Sequence, residues 1–88
     1  MAKSFNISIV SPEKIAYEGK AVSLIAPCES GYLGVLADHV PLICNLKSGN
    51  IFLRKTLQEN ISFKVSGKGF LEVLKNNVTI LVDSIVDL

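Results

Sequence analysis

Few side chains in this sequence are equipped for chemistry. Asp38 and His39 are adjacent, and His39 is the only histidine in 88 residues. A carboxylate orienting an imidazole is part of a nucleophilic triad, but it needs a nucleophile or a substrate pocket as well. Neighbours on an extended chain also leave on opposite faces, so a structural or interface histidine is expected. Cys28 and Cys44 are the two cysteines, and with His39 they leave a tetrahedral zinc set incomplete. A lone pair permits one disulfide, whereas two small buried hydrophobes is the plainer reading. Gly67-Lys68-Gly69 resembles a phosphate loop in composition only. A Walker loop needs G-x-x-x-x-G-K, then Ser or Thr, running into a helix. Here Lys68 is followed by Gly69 and an apolar strand pattern, so a tight turn between two strands is expected. No catalytic residue, cofactor site or metal site is expected.

The elements that would position these residues follow from size and pattern. The length corresponds to one domain, residues 1–88. Hydrophobic residues make up 49% of the chain, too many for a disordered segment. A small domain with surplus apolar residues tends to spend them on a partner surface. Nine basic residues face eight acidic ones, with both signs interspersed. Nucleic-acid binders carry a basic stripe, and none is visible. No polybasic membrane patch is present either, and no run approaches the roughly 18 apolar residues of a spanning helix. Met1-Ala2-Lys3-Ser4-Phe5 lacks the apolar region of a signal peptide. A reducing cytosolic or matrix-like compartment follows, with Cys28 and Cys44 expected as free thiols.

The apolar period is two. Phe5, Ile7 and Ile9 alternate with Asn6, Ser8 and Val10; Leu42, Cys44 and Leu46 alternate with Ile43, Asn45 and Lys47. Ile61, Phe63 and Val65 continue the theme, as do Val78, Ile80 and Val82. This is the mark of half-buried strands. Ser11-Pro12-Glu13, Glu18-Gly19-Lys20, Ser30-Gly31, Ser48-Gly49-Asn50, Gln58-Glu59-Asn60, Gly67-Lys68-Gly69 and Asn76-Asn77 read as turns. Their spacing is that of a sandwich or barrel. Ala21–Ala26 and Phe70–Leu74 are apolar on both faces. One face fills the interior; the other is expected to meet another subunit.

Gly31-Tyr32-Leu33-Gly34-Val35-Leu36, followed by His39-Val40-Pro41-Leu42-Ile43, is the most informative stretch. It resembles the signature of the ε subunit of F-type ATP synthases, with G-x-L-G and H-x-P in the family's order. Val10-Ser11-Pro12-Glu13 with Glu18-Gly19 is similar to that family's opening hairpin. Val65–Val73 with Asn77–Asp83 is similar to its closing strands, so the resemblance runs through the chain.

The resemblance implies an all-β fold, a flattened β-sandwich of about ten mostly antiparallel strands. It implies a non-catalytic central-stalk subunit that binds the γ subunit and the polar loops of the c-ring, and so couples ion-driven rotation to ATP synthesis. It needs no cofactor. It would sit on the cytoplasmic face of the bacterial inner membrane, reaching the membrane only through the complex. Motif position places Ser11, His39, Val40 and Leu42 toward γ, and Glu29, Ser30, Gly31 and Tyr32 toward the ring. Family members often carry an acidic residue where Tyr32 stands. Tyr32 is therefore expected to stack on or hydrogen-bond a ring-loop arginine, with Glu29 supplying charge. Ala37-Asp38 replaces the usual Pro-Gly or Pro-Asn before His39. Most bacterial relatives continue into a C-terminal helical hairpin that binds ATP or inhibits the head. The residues ending at Val86-Asp87-Leu88 are not expected to do either. The competing readings are a stand-alone ligand-binding β-sandwich, such as a carbohydrate-binding module, and a small hydrolase. Such modules usually present a row of exposed aromatics, but the chain has no Trp. The lone His39 disfavours the hydrolase.

Overall fold

Alternating side chains give eight strands in the computed structural model, which describes residues 3–88. Met1 and Ala2, part of the segment searched for a signal peptide, lie outside the described residues. The strands are β1 (Phe5–Val10), β2 (Ile15–Ala21), β3 (Ser23–Cys28), β4 (Gly31–Val35), β5 (Leu42–Leu46), β6 (Gly49–Arg54), β7 (Asn60–Leu74) and β8 (Asn77–Asp87). No helix is present among the described residues. The strands form one mixed sheet in the order β2-β1-β8-β7-β5-β3-β4, with β6 pairing both β3 and β7. Every pairing is antiparallel except β1 with β8. The sheet folds over into a sandwich, as expected, but with eight strands rather than about ten. β7 and β8 are long because each runs through both layers without a break.

The join between layers is a β-bulge. Ser66 pairs with Ser84 and Gly69 with Val82, so Gly67 and Lys68 together face Asp83 alone. An extra residue of this kind bends a strand and lets it change sheets. Gly67-Lys68-Gly69, expected as a turn between strands, is thus an interior bulge of β7. The bulge also explains a change of phase. Val78, Ile80 and Val82 are buried, and then Ile85 is, while β7 keeps Phe63, Val65, Leu71 and Val73 inward throughout. The extra residue on β7 keeps paired side chains facing the same way despite that slip.

The predicted alternation supplies Phe5, Ile7 and Ile9 from β1 and much of the β7 and β8 core; Leu24 and Ala26 from β3 join them, and Ile51 and Leu53 come from β6, a strand not expected from the sequence. Glu18-Gly19-Lys20, expected as a turn, instead pairs with Ser8, Ile7 and Asn6 in regular register. β2 is an edge strand, where glycine is tolerated. The Tyr17 ring lies over Gly19, and its hydroxyl donates to the Lys20 carbonyl at 2.8 Å, so the side chain fills the space glycine leaves. The β1–β2 loop does turn as expected, with Ser11 N–H donating to Lys14 O at 2.9 Å and Lys14 N–H returning to Ser11 O at 3.3 Å. Lys75 and Asn76 join β7 to β8 with φ of 49° and 61°, as a two-residue type I′ hairpin requires.

Candidate interaction surface

The outward face of one layer carries a cross-strand apolar row. Register aligns Val10 of β1 with Leu81 of β8, Leu81 with Phe70 of β7, and Phe70 with Asn45 of β5. Phe70 and Leu81 are each 39% exposed. Two residues further along β5, Ile43 is 68% exposed and stands opposite Glu72. A groove of about 500 Å³ runs beside this row, bounded by Ser11 and Pro12 at one side and Lys68 and Asp83 at another. Gly69 forms part of its floor. A Cβ there would lie 2.5 Å from the Leu81 carbonyl oxygen and 3.0 Å from Val82 Cα, so only glycine lets the two strands close up.

The residues expected to face γ are not gathered in one place. Ser11 is buried at the groove, where its hydroxyl donates to the Lys14 carbonyl at 3.4 Å. His39 and Val40 lie in the β4–β5 connection, near the other end of β5. Val40 is 70% exposed. His39 Nδ1 sits 2.7 Å from the Val40 carbonyl, which can only accept, so this nitrogen carries the proton. Leu42 is half-buried and packs against the core, while its neighbour Ile43 points out. The β5 alternation already contained that distinction.

Asp38 does not orient His39. Its carboxylate accepts from Lys3 Nζ at 2.9 Å and from Asn76 Nδ2 at 2.9 Å, while its own N–H donates to Asn76 Oδ1 at 2.6 Å. The β4–β5 connection is thereby pinned to the β7–β8 turn. These bonds, Asn76 first and Lys3 next, hold the Asp38 carboxyl below its ordinary value, and the same pairing raises Lys3. Asp38 has φ of 64°, a left-handed conformation that Asp adopts more readily than most residues.

The expected ring-facing residues do cluster, at the tip of the β3–β4 hairpin. Glu29 is exposed, its N–H donates to the Asn45 carbonyl at 3.0 Å, and its Oε1 accepts from Asn45 Nδ2 at 3.4 Å. Ser30 is exposed, and Gly31 has φ of 130° with open space around its Cα. Tyr32 pairs with Pro27, and its hydroxyl accepts the Asn50 N–H at 3.4 Å. It still leaves 57% of its surface exposed.

Cys28 and Cys44 are not free thiols. They are joined as a disulfide, with Cα atoms 6.3 Å apart. Cys28 pairs with Leu46, and Cys44 is two positions from Leu46, so the two cysteines are diagonal neighbours on one face. Sequence spacing carried no signal for this, because it depends on β3 meeting β5. Among the described residues no three His, Cys, Asp or Glu side chains converge as a metal site would require.

Together these features describe a β-sandwich with a greasy outer row and a polar hairpin tip. Residues 4–88 match the ATP synthase, Delta/Epsilon chain, beta-sandwich domain, and the chain belongs to that family. It is 42% identical over 83 residues to the ATP synthase epsilon chain of Dichelobacter nodosus, covering 94% of this chain and 57% of that one. It is 45% identical over 83 residues to the ATP synthase epsilon chain of Leptospira borgpetersenii, covering 93% and 63%. The chain thus spans about three fifths of the length of these curated relatives. Its fold is similar to a chain in the Euglena gracilis mitochondrial ATP synthase OSCP/F1/c-ring structure, with a TM-score of 0.84 at 18% identity, covering 92% of this chain and 51% of that one. A chain of the Tetrahymena thermophila mitochondrial ATP synthase central stalk/c-ring structure aligns with a TM-score of 0.80 at 16% identity, covering 98% and 68%.

Proposed function

We propose that this chain is the sandwich part of a non-catalytic rotor subunit in an F-type ATP synthase. It would grip the γ subunit with the outer face of one layer and rest the β3–β4 tip on the polar loops of the c-ring, so that ion-driven rotation reaches the catalytic head. The membrane would be met only through the complex, on the cytoplasmic face of the bacterial inner membrane.

The observation that carries this reading is the row Val10, Leu81, Phe70 with Ile43 beside it, on a member of the delta/epsilon family. Fully burying a Phe, Leu or Ile side chain is worth about 1.5–3 kcal/mol relative to exposure, so such a row favours a covering partner. A joint that bears torque needs a broad apolar contact backed by a packed interior. Val40 and His39 would extend the γ seat past the end of β5, Ser11 would shape its groove edge, and Leu42 would support Ile43 from beneath. At the tip, Glu29, Ser30, Gly31 and Tyr32 offer one carboxylate, open backbone and one aromatic ring, a set suited to basic loops.

Co-expression with the γ subunit of the same ATP synthase tests the reading. A stable complex on size exclusion that then binds detergent-solubilised c-ring is expected. Failure of the folded chain to bind γ at micromolar concentration would remove it.

A further inference from the structure

We infer that Cys28 and Cys44 are a thiol–disulfide exchange site that fastens and releases the β3–β4 hairpin. β3 meets β5 at one ladder position, Cys28 opposite Leu46. Two backbone bonds frame it: Glu29 N–H to the Asn45 carbonyl at 3.0 Å and Lys47 N–H to the Pro27 carbonyl at 2.9 Å. This makes Cys28–Leu46 the wide type of antiparallel pair, with no bond exchanged between its own members. Elsewhere β3 is tied more fully, through Ser23–Ile25 to β6 and through Leu24–Cys28 to β4. The strands β7, β5, β3 and β6 pair in a closed circuit, and β3–β5 is its thinnest seam. The Cys28–Cys44 disulfide crosses at this seam.

The surroundings suit exchange. Cys28 is buried and Cys44 is half-buried against the core, so the Cys44 sulfur is the one a co-reactant reaches first. The co-reactant class is a small thiol–disulfide couple of the glutathione kind, or a dithiol oxidoreductase. In the oxidising direction the Cys44 thiolate attacks the co-reactant disulfide and releases one thiol. The Cys28 thiolate then attacks Cys44 Sγ and releases the second. The cysteines give up two protons and two electrons overall, and one co-reactant disulfide becomes two thiols. Reduction runs the same steps backward.

The mechanical consequence follows from position. Glu29, Ser30 and Gly31 come directly after Cys28 and form the hairpin tip. Oxidised, the tip is bonded covalently to β5 at its base. Reduced, the seam keeps only two framing backbone bonds and the Asn45–Glu29 side-chain bond, so local opening becomes easier. An effect on ring contact rests on the rotor reading above; the fastening itself does not.

The test uses the whole chain in glutathione buffers of graded ratio, quenched with acid and alkylated with iodoacetamide. Intact mass counts the blocked thiols, and amide exchange is followed at Glu29 and Lys47. Both cysteines should change state together in one transition. Exchange at Glu29 and Lys47 should be at least about ten-fold faster in the reduced chain, with the β1–β2 amides unchanged. A Cys44→Ser variant should show the fast exchange at every ratio. Full alkylation of both thiols even in oxidised glutathione alone would overturn the proposal, as would equal exchange in the oxidised and reduced chains. Loss of γ binding would undo the rotor reading and leave these readouts untouched.

Discussion

Asp83 Oδ2 accepts the backbone N–H of Lys68 at 2.8 Å across the β7–β8 hairpin. This bond occupies a donor that the bulge has taken out of the ladder. Beside it, Gly67 has φ of 83°, and a Cβ at that position would lie 2.6 Å from the Asp83 side chain. Carboxylate and glycine together shape the corner where the sheet changes layers.

Asp83→Ala is expected to cost about 1.5–3 kcal/mol, the scale of a hydrogen bond to a charged acceptor. Gly67→Ala adds left-handed strain and a steric conflict, and should cost about 1–3 kcal/mol. In a domain of this size each kcal/mol lowers Tm by about 4–8 °C. Thermal unfolding by circular dichroism measures both. Unchanged melting of Gly67→Ala would show that the corner does not depend on that conformation.

Adjacent residues on β5 separate folding from docking. Leu42 packs against the core, whereas Ile43 is 68% exposed on the outer face. Leu42→Asp should lose about 3 kcal/mol or more by placing a carboxylate against the interior. Ile43→Lys, which sets an ammonium opposite Glu72, should fold within about 0.5 kcal/mol of the parent, as surface changes do, yet bind γ at least about ten-fold more weakly, as loss of an apolar contact would give. Urea midpoints and γ titrations on both variants make the comparison.

The Asp38 network has a predictable pH dependence. Its bonds from Asn76 and Lys3 hold the folded-state carboxyl below its unfolded value. The stabilisation is complete above the unfolded value of about 3.9 and is lost as pH falls through the lower folded value. The Lys3 ammonium is raised above 10.5 by the same pair, so its share persists to that pH and fades as pH rises further. Asp38→Asn should flatten the acid limb by lowering stability above about pH 4, where the parent carboxylate is charged, and should approach the parent toward about pH 2. Urea midpoints measured from pH 6 down to pH 2 read this out.

Tyr32 has a packing role and an outward face. It sits opposite the fully buried Pro27. Tyr32→Phe should keep that packing and lower c-ring affinity only as far as the hydroxyl matters. Tyr32→Ala should uncover Pro27, cost about 1–2 kcal/mol in stability, and weaken ring binding further. Binding of both variants to immobilised c-ring, set against their melting temperatures, separates the two roles. Ring binding by Tyr32→Ala equal to the parent would remove Tyr32 from the contact.

Local pattern and long-range pairing divided the information about this protein between them. Phe5, Ile7 and Ile9, or Val78, Ile80 and Val82, declare strands because side chains alternate across a pleat whatever the partner strand is. The family resemblance was equally legible, since Gly31-Tyr32-Leu33-Gly34 and His39-Val40-Pro41 lie close together in the chain. Glycine was ambiguous. Glu18-Gly19-Lys20 and Gly67-Lys68-Gly69 have the composition of turns, but the strands beside them hold them extended or bulged. That is also why the long β7 was not visible as one continuous strand.

The parallel pairing of β1 with β8, the Asp38–Asn76 pin and the Cys28–Cys44 bond were decided by tertiary structure. Each depends on which distant segment lies alongside, and a chain read in order holds no direct record of that. The alternation determined which residues can be buried; the closing of the sheet upon itself determined which apolar residues were left facing out.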